Sequence, residues 1–400
     1  MKRQLIVFGE DWGGLPSSTQ HIIKQLSNDY SVTWINSLGL RSPKANLHDL
    51  KRIFAKAGRM IGQLFNGKKQ GKEQSKNQAA GTTIDHQVGL ATGDDFTVVE
   101  PRYIPILSSQ LVRKLNRILL HGLMKRCADS NAVERAVVWI SLPNAVDALH
   151  YIEQTDLIDP VVVYYCCDDF AALDGVDHDA VAVFERELAN RADFIVATSD
   201  ELVEKFPEGK THMIPHGVDT ALFNIPAPRA VDLPINKPVA GFYGSIAQWI
   251  DVDLLAKVAA MMPDWHFVLI GAAKVDISAL ESLDNVIFLG PKPHSHLPRY
   301  SQHWDVSLLP FILNEQIIAS NPLKLREYMA AGRPIVSIDF PQVHQYGEFI
   351  ELADGPQQFA AAIKRAHAQP IEVREQRQKC VAAESWHAVA GRINALIQEV

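Results

Sequence analysis

Two charged residues one helical turn apart, Lys324 and Glu327, carry the clearest chemical signal in the sequence. They lie near the start of residues 320–339, a stretch typical of a helix followed by a buried strand. The free N–H groups of a helix start, together with a lysine, form a site for a diphosphate. A carboxylate three residues later lies on the same helical face and could accept both hydroxyls of a ribose. A capped amphipathic helix with a solvated salt bridge is the structural alternative.

The residues around this pair predict where the helix begins and ends. Asn321 is the expected N-cap, and Pro322 suits the first helical position because the N–H that proline lacks has no partner there. Gly332 is expected to stop the helix. The short apolar run at 335–338 then predicts a parallel strand that is covered on both faces.

Two adjacent carboxylates, Asp168 and Asp169, follow an apolar run at 160–167. This run predicts a buried strand that delivers both side chains to the carboxyl edge of a sheet, where doubly wound folds bind their ligands. A general base and a helix cap both use carboxylates at such a place. Only one of the two side chains can point into a cleft.

A loop with two glycines, Gly13 and Gly14, follows the first predicted strand at 4–9, and Asp11 lies in the same loop. Paired glycines allow a backbone to approach a phosphate closely. The loop lacks the full G-x-G-x-x-G pattern, so a plain tight turn is the alternative.

The order of apolar runs and helical patterns predicts an α/β fold with two doubly wound, Rossmann-like domains. The first domain is predicted at 1–216, with a basic, partly flexible insertion at about 41–95. The second domain is predicted at 217–372, and its first strand follows a proline-rich linker at 225–238. The last segment, 373–400, is predicted to be a helix that packs back on the first domain.

The composition is ordinary for a soluble protein, with 47% apolar and 21% charged residues among 400. No run is long enough for a membrane-spanning helix, and the first apolar run is too short for a signal peptide. The four cysteines have no framework spacing, which favours a reducing compartment. We therefore expect a cytoplasmic protein.

Charge is distributed unevenly along the chain. Residues 41–126 contain sixteen Lys/Arg against six Asp/Glu, an excess of ten positive charges, so the overall net charge of −7 leaves −17 for the remainder. Two basic amphipathic patterns, at 53–65 and 111–126, lie in this region. Such helices can lie on an anionic membrane surface, here the inner face of the cell membrane, and ordinary surface helices are the alternative. No nucleic-acid partner is expected.

Several motifs together resemble one family. The second half of the chain is similar to nucleotide-sugar glycosyltransferases of family 4 (glycosyltransferases group 1), strongly over about 210–350 and more loosely elsewhere. The motifs that carry the resemblance are Pro215–Asp219 with Phe223, Gly241–Ser245, Asn285–Gly290, Asn321–Lys324, Glu327–Tyr328 and Gly332–Val336, and more loosely Gly13–Gly14 and Asp168–Asp169 in the first domain and Ser385–Trp386 in the C-terminal segment. The resemblance implies the architecture called GT-B, in which two Rossmann-like domains face each other across a cleft.

The resemblance also implies roles for individual residues. The expected donor-binding residues are Gly13, Gly14, His216, Gly244, Ser245, Lys292, Asn321, Pro322, Leu323, Lys324 and Glu327. Glu327 would bind the ribose, and Lys324 would hold the diphosphate together with the helix start and the turn at Gly244. The base would lie near Lys292. Gly13 and Gly14 would approach from the opposite wall when the cleft closes.

Two positions depart from the family pattern. Many members place a glutamate eight residues before the ribose-binding one, and here that position is Ala319. Many also carry an arginine and a lysine after the first strand of the second domain, whereas residues 245–253 contain neither. Lys324, with Arg326 or Lys292, would have to substitute for them. Whether the anomeric configuration is retained or inverted therefore stays open.

The two mechanisms give one carboxylate different roles. If the configuration inverts, Asp168 is the candidate base, with Asp11 behind it; if it is retained, Asp168 orients the acceptor. The string from Asp251 to Asp253 has the D-x-D form of metal sites, but it falls at a predicted helix start, where acidic residues favour the dipole. We expect neither a metal nor another cofactor.

The sequence therefore predicts a glycosyltransferase that moves a sugar from a nucleotide diphosphate, UDP- or GDP-linked, to an acceptor. The basic amphipathic patterns favour a lipid-linked or growing saccharide acceptor, as in the synthesis of a cell-surface polysaccharide. Two alternatives are a nucleotide-sugar epimerase of the same fold and a binding protein without turnover. For His216, a hinge or donor-cleft role competes with simple surface exposure.

Overall fold

The computed structural model describes residues 2–40, 95–128, 135–155, 157, 159–173 and 175–400. The predicted basic insertion at 41–95, including the amphipathic pattern at 53–65, lies outside the described residues except for Asp95. The described residues form two parallel sheets, one of seven strands and one of six.

The first sheet has the strand order β3-β2-β1-β4-β5-β6-β7, and every pair is parallel. Its elements, in chain order, are β1 (Arg3–Phe8), α1 (Ser18–Leu26), β2 (Tyr30–Ile35), β3 (Phe96–Val99), α2 (Gln110–Cys127), β4 (Val137–Ile140), β5 (Val161–Cys166), α3 (His178–Arg191), β6 (Phe194–Ala197), α4 (Asp200–Val203) and β7 (Thr211–Met213). Short 3₁₀ helices cover Pro143–Leu149, Ile152–Gln154 and Glu208–Lys210.

The second sheet has the order β10-β9-β8-β11-β12-β13 and is also parallel throughout. Its elements are α5 (Thr220–Asn224), β8 (Val239–Tyr243), α6 (Val252–Met261), β9 (His266–Ile270), α7 (Ser278–Glu281), β10 (Val286–Phe288), α8 (Pro298–Ser301), β11 (Val306–Leu309), α9 (Glu315–Ala319), α10 (Leu323–Ala331), β12 (Ile335–Ser337), β13 (Ile350–Leu352), α11 (Gly355–His367), α12 (Val373–Cys380) and α13 (Trp386–Glu399). Two 3₁₀ segments lie at His294–His296 and Pro341–Phe349.

Both sheets are covered on their two faces, which explains why the strands appear in the sequence as continuous apolar runs. All six residues of β5 and all five of β8 are buried. In each sheet the strand order reverses once, between β1 and β4 and between β8 and β11. Ligands of doubly wound sheets bind at the carboxyl ends of strands beside such a reversal. The predicted α/β, doubly wound fold class is confirmed.

The C-terminal helix differs from its prediction. Instead of one helix from about residue 374 there are two, because Ser385 caps a new helix by accepting a hydrogen bond from the N–H of Ala388 (3.2 Å). Helix α12 stays with the second domain, where Arg377 donates to the carbonyl of Gly332 (3.3 Å). Helix α13 crosses back and packs on α1, and Tyr30 Oη donates to Asn394 Oδ1 (2.6 Å). The segment that crosses to the first domain therefore begins at α13.

Two hydrogen bonds join the domains directly in front of α10. Ser199 Oγ donates to the carbonyl oxygen of Ala319 (2.7 Å), and Asn321 Nδ2 donates to the carbonyl oxygen of Thr198 (2.6 Å). Ala319 itself is buried in the apolar cluster of the first domain. The segment that leads into α10 is therefore anchored to the opposite domain.

The strand that leads into the site, β8, packs against a buried tryptophan. A Cβ atom built on Gly241 would lie 1.8 Å from Cε3 of Trp304, whose side chain is fully buried. The indole Nε1 donates to Ser307 Oγ at 2.9 Å, which fixes the ring. Only glycine fits at this position of β8.

Gly241→Ala should therefore destabilise the protein by about 1–3 kcal/mol or more, because a close-packed core does not absorb an added methyl group. Gly391→Ala is the matched control: it lies in α13, where a Cβ meets nothing within 4 Å. The control should raise stability by about 0.4–1 kcal/mol. Chemical denaturation measures both, and equal stability of Gly241→Ala and wild type would contradict the packing described.

Candidate functional site

Helix α10 begins one residue later than predicted. Pro322 is its N-cap in extended conformation, and none of the described side chains caps the helix start. The prediction that Asn321 caps this helix is wrong, because its amide is committed to the domain junction, where Oδ1 accepts from Arg326 Nη1 and Nδ2 donates to Thr198. The first N–H groups, at Leu323 and Lys324, therefore carry the positive end of the helix dipole without a side-chain partner. The predicted stop is confirmed, since Gly332 has φ = 79°.

Lys324 lies against the glycine turn at the end of β8. A Cβ on Gly244 would lie 2.3 Å from Lys324 Cε, and φ at Gly244 is 133°, a backbone conformation that favours glycine. Ser245 follows, partly exposed. Burial lowers the pKa of Lys324, although the nearby Glu327 opposes that shift. The lysine and the turn therefore converge at the start of α10.

A further glycine, not singled out from the sequence, makes this turn possible. Gly271 ends β9 with φ = 147°, and a Cβ there would lie 1.9 Å from the carbonyl oxygen of Gly244. The turn is closed by Gly244 N–H, which donates to the carbonyl of Ile270 at 2.8 Å. The sequence signal that could have identified Gly271 is its position directly after an apolar strand.

Glu327 is buried, and each of its carboxylate oxygens accepts a hydrogen bond. His294 Nε2 lies 2.6 Å from Oε1, and Tyr243 Oη donates to Oε2 at 2.7 Å. Burial opposes ionisation of this carboxyl, but the contacts with His294 and Tyr243 outweigh it and lower its pKa. The carboxylate is thus held in the ionised form that accepts hydroxyl hydrogen bonds.

Sequence reasoning did not identify these two partners of Glu327. His294 has no predicted role, and Tyr243 appears only within the Gly241–Ser245 motif. The contact depends on which loops the sheet order brings together, since Tyr243 ends β8 and His294 follows β10. No local pattern encodes that proximity.

The opposite wall of the cleft comes from α1. The ring of His21 lies 5.9 Å from that of His294 and stacks on Trp386 at 4.9 Å with an interplanar angle of 2°. Burial, reinforced by His294, lowers the pKa of His21 to about 4, so this ring is neutral at pH 7. First-domain, second-domain and C-terminal elements meet at this point.

The glycine loop that precedes α1 is a tight turn. Gly13 has φ = 79°, and Gly14 N–H donates to the carbonyl of Asp11 at 3.1 Å. Both glycines are exposed, as is Asp11, whose Oδ1 accepts from Ser37 N–H at 3.1 Å. The loop lies at the carboxyl end of β1, and its contact with a donor stays a prediction, as does the role of Asp11 behind Asp168.

The two adjacent aspartates have separate environments. Asp169 accepts a hydrogen bond from Lys205 Nζ (2.7 Å), so it is held within the first domain. Gln316, which belongs to α9 of the second domain, lies near enough to Asp168 to favour its ionised form and so to oppose a rise in its pKa. Burial nevertheless raises the pKa of Asp168 to about 6, despite Gln316 and the hydrogen bond from Asp169 N–H at 2.9 Å. Only Asp168 therefore faces the second domain.

Three other sequence predictions have clear structural outcomes. His216 is buried rather than surface-exposed; its ring lies 6.1 Å from Trp386, and burial lowers its pKa to about 3. Lys292 Nζ lies 2.8 Å from Asp232 Oδ2 of the linker, so its charge is already paired there. Asp251 caps α6 by accepting from Leu254 N–H at 2.7 Å, which confirms the predicted helix start.

The fold and the placement of the site define the class: the chain has the GT-B fold. Sucrose-phosphate synthase from Thermosynechococcus elongatus superimposes with a TM-score of 0.68 at 14% identity, over 100% of this chain and 99% of that one. Anabaena Alr3699/HepE in complex with UDP and glucose gives a TM-score of 0.65 at 13% identity, over all of both chains. At these identities the likeness establishes the fold alone.

The sequence comparisons match one family over part of the chain. Residues 237–369 match the family Glycosyl transferases group 1. A Bacillus subtilis (strain 168) protein named as a candidate teichuronic acid biosynthesis glycosyltransferase, TuaH, is 29% identical over 290 residues, which cover 65% of this chain and 71% of TuaH. The predicted resemblance is confirmed, and these matches support a glycosyltransferase.

Lys324→Ala should weaken binding of UDP about tenfold or more and leave binding of uridine unchanged, because hydrogen bonds to charged groups are the stronger ones and only UDP carries the diphosphate. Calorimetric titration of both ligands measures the difference. Lys257→Ala, an exposed change on α6, is the control and should bind both like wild type. Equal losses for UDP and uridine would contradict a diphosphate contact at Lys324.

Proposed function

We propose that this chain transfers a sugar from a nucleotide diphosphate sugar to a lipid-linked or growing saccharide acceptor at an anionic membrane surface. One observation supports the proposal: the uncapped start of α10 carries Lys324 and the ionised Glu327, and Asp168 of the other domain lies near Gln316 of α9, the helix that precedes α10. A nucleotide diphosphate and an acceptor hydroxyl need these two sets of groups on opposite walls.

In the proposed complex, the nucleotide diphosphate sugar binds at the start of α10. The N–H groups of Leu323 and Lys324 and the ammonium group of Lys324 meet the diphosphate. Glu327 accepts the ribose hydroxyls. The ligands in the solved structures of HepE (UDP with glucose) and of an E. coli trehalose-6-phosphate protein (UDP-2-fluoro glucose) support a UDP-linked donor here, with GDP as the alternative base.

The transfer step balances without an added reactant. The acceptor oxygen bonds to the anomeric carbon of the sugar while the bond from that carbon to the diphosphate breaks. The acceptor proton passes to Asp168, and the diphosphate leaves with its charge stabilised by Lys324 and the helix start. The proposal includes independence from metal ions, so an excess of EDTA should not change turnover.

Asp168→Asn should lower transfer by about 10²–10⁴-fold with donor binding unchanged, since a general base contributes that much and the amide cannot accept the proton. In wild type, transfer should fall as the pH is lowered below about 6, where Asp168 becomes protonated. Release of nucleotide diphosphate from UDP- and GDP-sugars, with a lipid-linked acceptor extract, measures both effects.

Asp169→Asn is the control for this experiment, because its side chain is engaged by Lys205 instead of facing the cleft. Near-wild-type transfer by Asp168→Asn would remove Asp168 as the base. Conversion of the nucleotide sugar into its epimer, without release of diphosphate, would favour the epimerase. Nucleotide binding without either reaction would favour a binding protein.

In the proposal, an exposed stripe of apolar side chains on α2 docks on the membrane that carries the acceptor. Its apolar members are Leu111, Leu115 and Ile118, with exposed fractions of 79%, 44% and 60%, and they follow one helical face. Lys114 and Lys125 are exposed beside them. An apolar stripe flanked by lysines suits the interface of an anionic bilayer.

Two arginines of α2 form ion pairs within the first domain, although the sequence pattern placed them in a basic amphipathic helix that can lie on a membrane surface. Arg113 and Arg117 both pair with Asp147 through Nε, at 2.8 and 2.9 Å, and both also contact Glu187. They fasten α2 to the first domain, so they are not free cations for a lipid surface. Among the described residues, no helix combines the length and apolar character needed to cross a bilayer.

Leu115→Glu together with Ile118→Glu should abolish co-sedimentation with vesicles of phosphatidylcholine and phosphatidylglycerol. A carboxylate on the apolar stripe opposes both insertion and attraction to anionic lipid. Val231→Glu, a change at a still more exposed apolar residue in the linker, should leave binding unchanged. Wild-type binding that does not depend on phosphatidylglycerol, or binding kept by the double variant, would contradict the proposed surface.

A further inference from the structure

His294 begins the 3₁₀ turn that follows β10, and its imidazole lies in the cleft beside the carboxylate of Glu327. The distance from Nε2 to Oε1 is 2.6 Å, the length of a strong, charge-assisted hydrogen bond. Tyr243 Oη holds the other oxygen. Two donors, one at the end of β8 and one in the turn after β10, thus fix the plane of one carboxylate.

The charged and titratable groups around this imidazole come from three elements besides its own. Glu327, with Lys324 near it, lies on α10, Asp219 precedes α5, and His21 faces the imidazole from α1 of the first domain. Burial would lower the pKa of His294, but Glu327 and Asp219 outweigh it and raise the pKa. The ring edge also rests on Phe223 at 5.4 Å. The imidazole is therefore held in place from several sides.

A carboxylate with both oxygens bonded by the protein still has acceptor capacity, since it offers about four lone-pair sites. Each carboxylate oxygen of Glu327 accepts one hydrogen bond from the protein and has a second lone pair available for a ribose hydroxyl. A glutamate side chain has three rotatable bonds, and its orientation toward two hydroxyls at once depends on those protein donors.

From this geometry we propose that His294 is a positioning residue for the donor: it orients Glu327 so that the carboxylate accepts the ribose hydroxyls, without touching the nucleotide itself. The inference rests on the proposed role of Glu327. His21 contributes from the opposite domain by bounding the space into which the imidazole could turn.

The test compares affinities for UDP and 2′-deoxy-UDP, measured by calorimetry on the full chain. Wild type should prefer UDP by about tenfold, the effect of a hydrogen bond to a charged group. His294→Phe keeps the ring but removes the donor, so the preference should fall toward unity. His294→Gln places an amide donor at similar reach, so most of the preference should return.

His296→Phe is the matched control, since His296 belongs to the same turn and is exposed. It should keep the wild-type preference. A wild-type preference in His294→Phe, or a failure of His294→Gln to restore it, would overturn the proposed positioning. If wild type itself binds UDP without preferring it over 2′-deoxy-UDP, the ribose role of Glu327 fails and the inference fails with it. If wild type binds neither ligand, nor GDP, the proposed donor class is wrong.

Discussion

The site depends on one buried carboxylate that has to stay ionised. Burial of an unpaired charge costs several kcal/mol, at least, so Glu327 requires donors on both oxygens. Tyr243 supplies one from the end of β8, and His294 supplies the other from the 3₁₀ turn after β10. The sheet order, the glycines of the β8 turn and the placement of α10 all serve to bring these groups to one point.

A second constraint ties that point to the other domain. Arg326 is fully buried on the reverse side of α10, where Nε donates to Glu384 Oε2 at 2.6 Å and Nη1 donates to Asn321. Glu384 directly precedes the cap of α13, the helix that crosses to the first domain. Arg326 thus serves the junction rather than substituting for a missing cation in the donor cleft. The helix that carries Lys324 is therefore fixed by both domains.

The position of Ala319 fits this arrangement. Its carbonyl accepts from Ser199 and its side chain packs in the apolar cluster of the first domain. A glutamate, common at this position in the resembling family, would bring an unpaired charge into that cluster. Alanine in place of the family's glutamate is therefore linked to the contact between the domains, because the small side chain of Ala319 allows α9 to approach the first domain.

Local sequence patterns predicted most helices and strands, but they did not predict the contacts between these elements. Continuous apolar runs predicted β5 and β8, because both faces of these strands are covered. The end of α10 at Gly332 was predictable because a helix often ends at a residue in the left-handed conformation, which favours glycine. Strands β3 and β13 were not predicted, since each is a short strand with partly exposed residues. The roles of Asn321 and His294 were missed because both are set by partners more than thirty residues away.

The most direct test of the account is the affinity of Glu327→Ala for UDP, measured by calorimetry beside wild type and Glu375→Ala, an exposed change on α12. The account predicts that wild type and Glu375→Ala bind alike. Glu327→Ala should bind about tenfold more weakly or worse, because both ribose hydroxyls lose their acceptor. Unchanged affinity in a folded Glu327→Ala protein would contradict the claim that this carboxylate holds the donor.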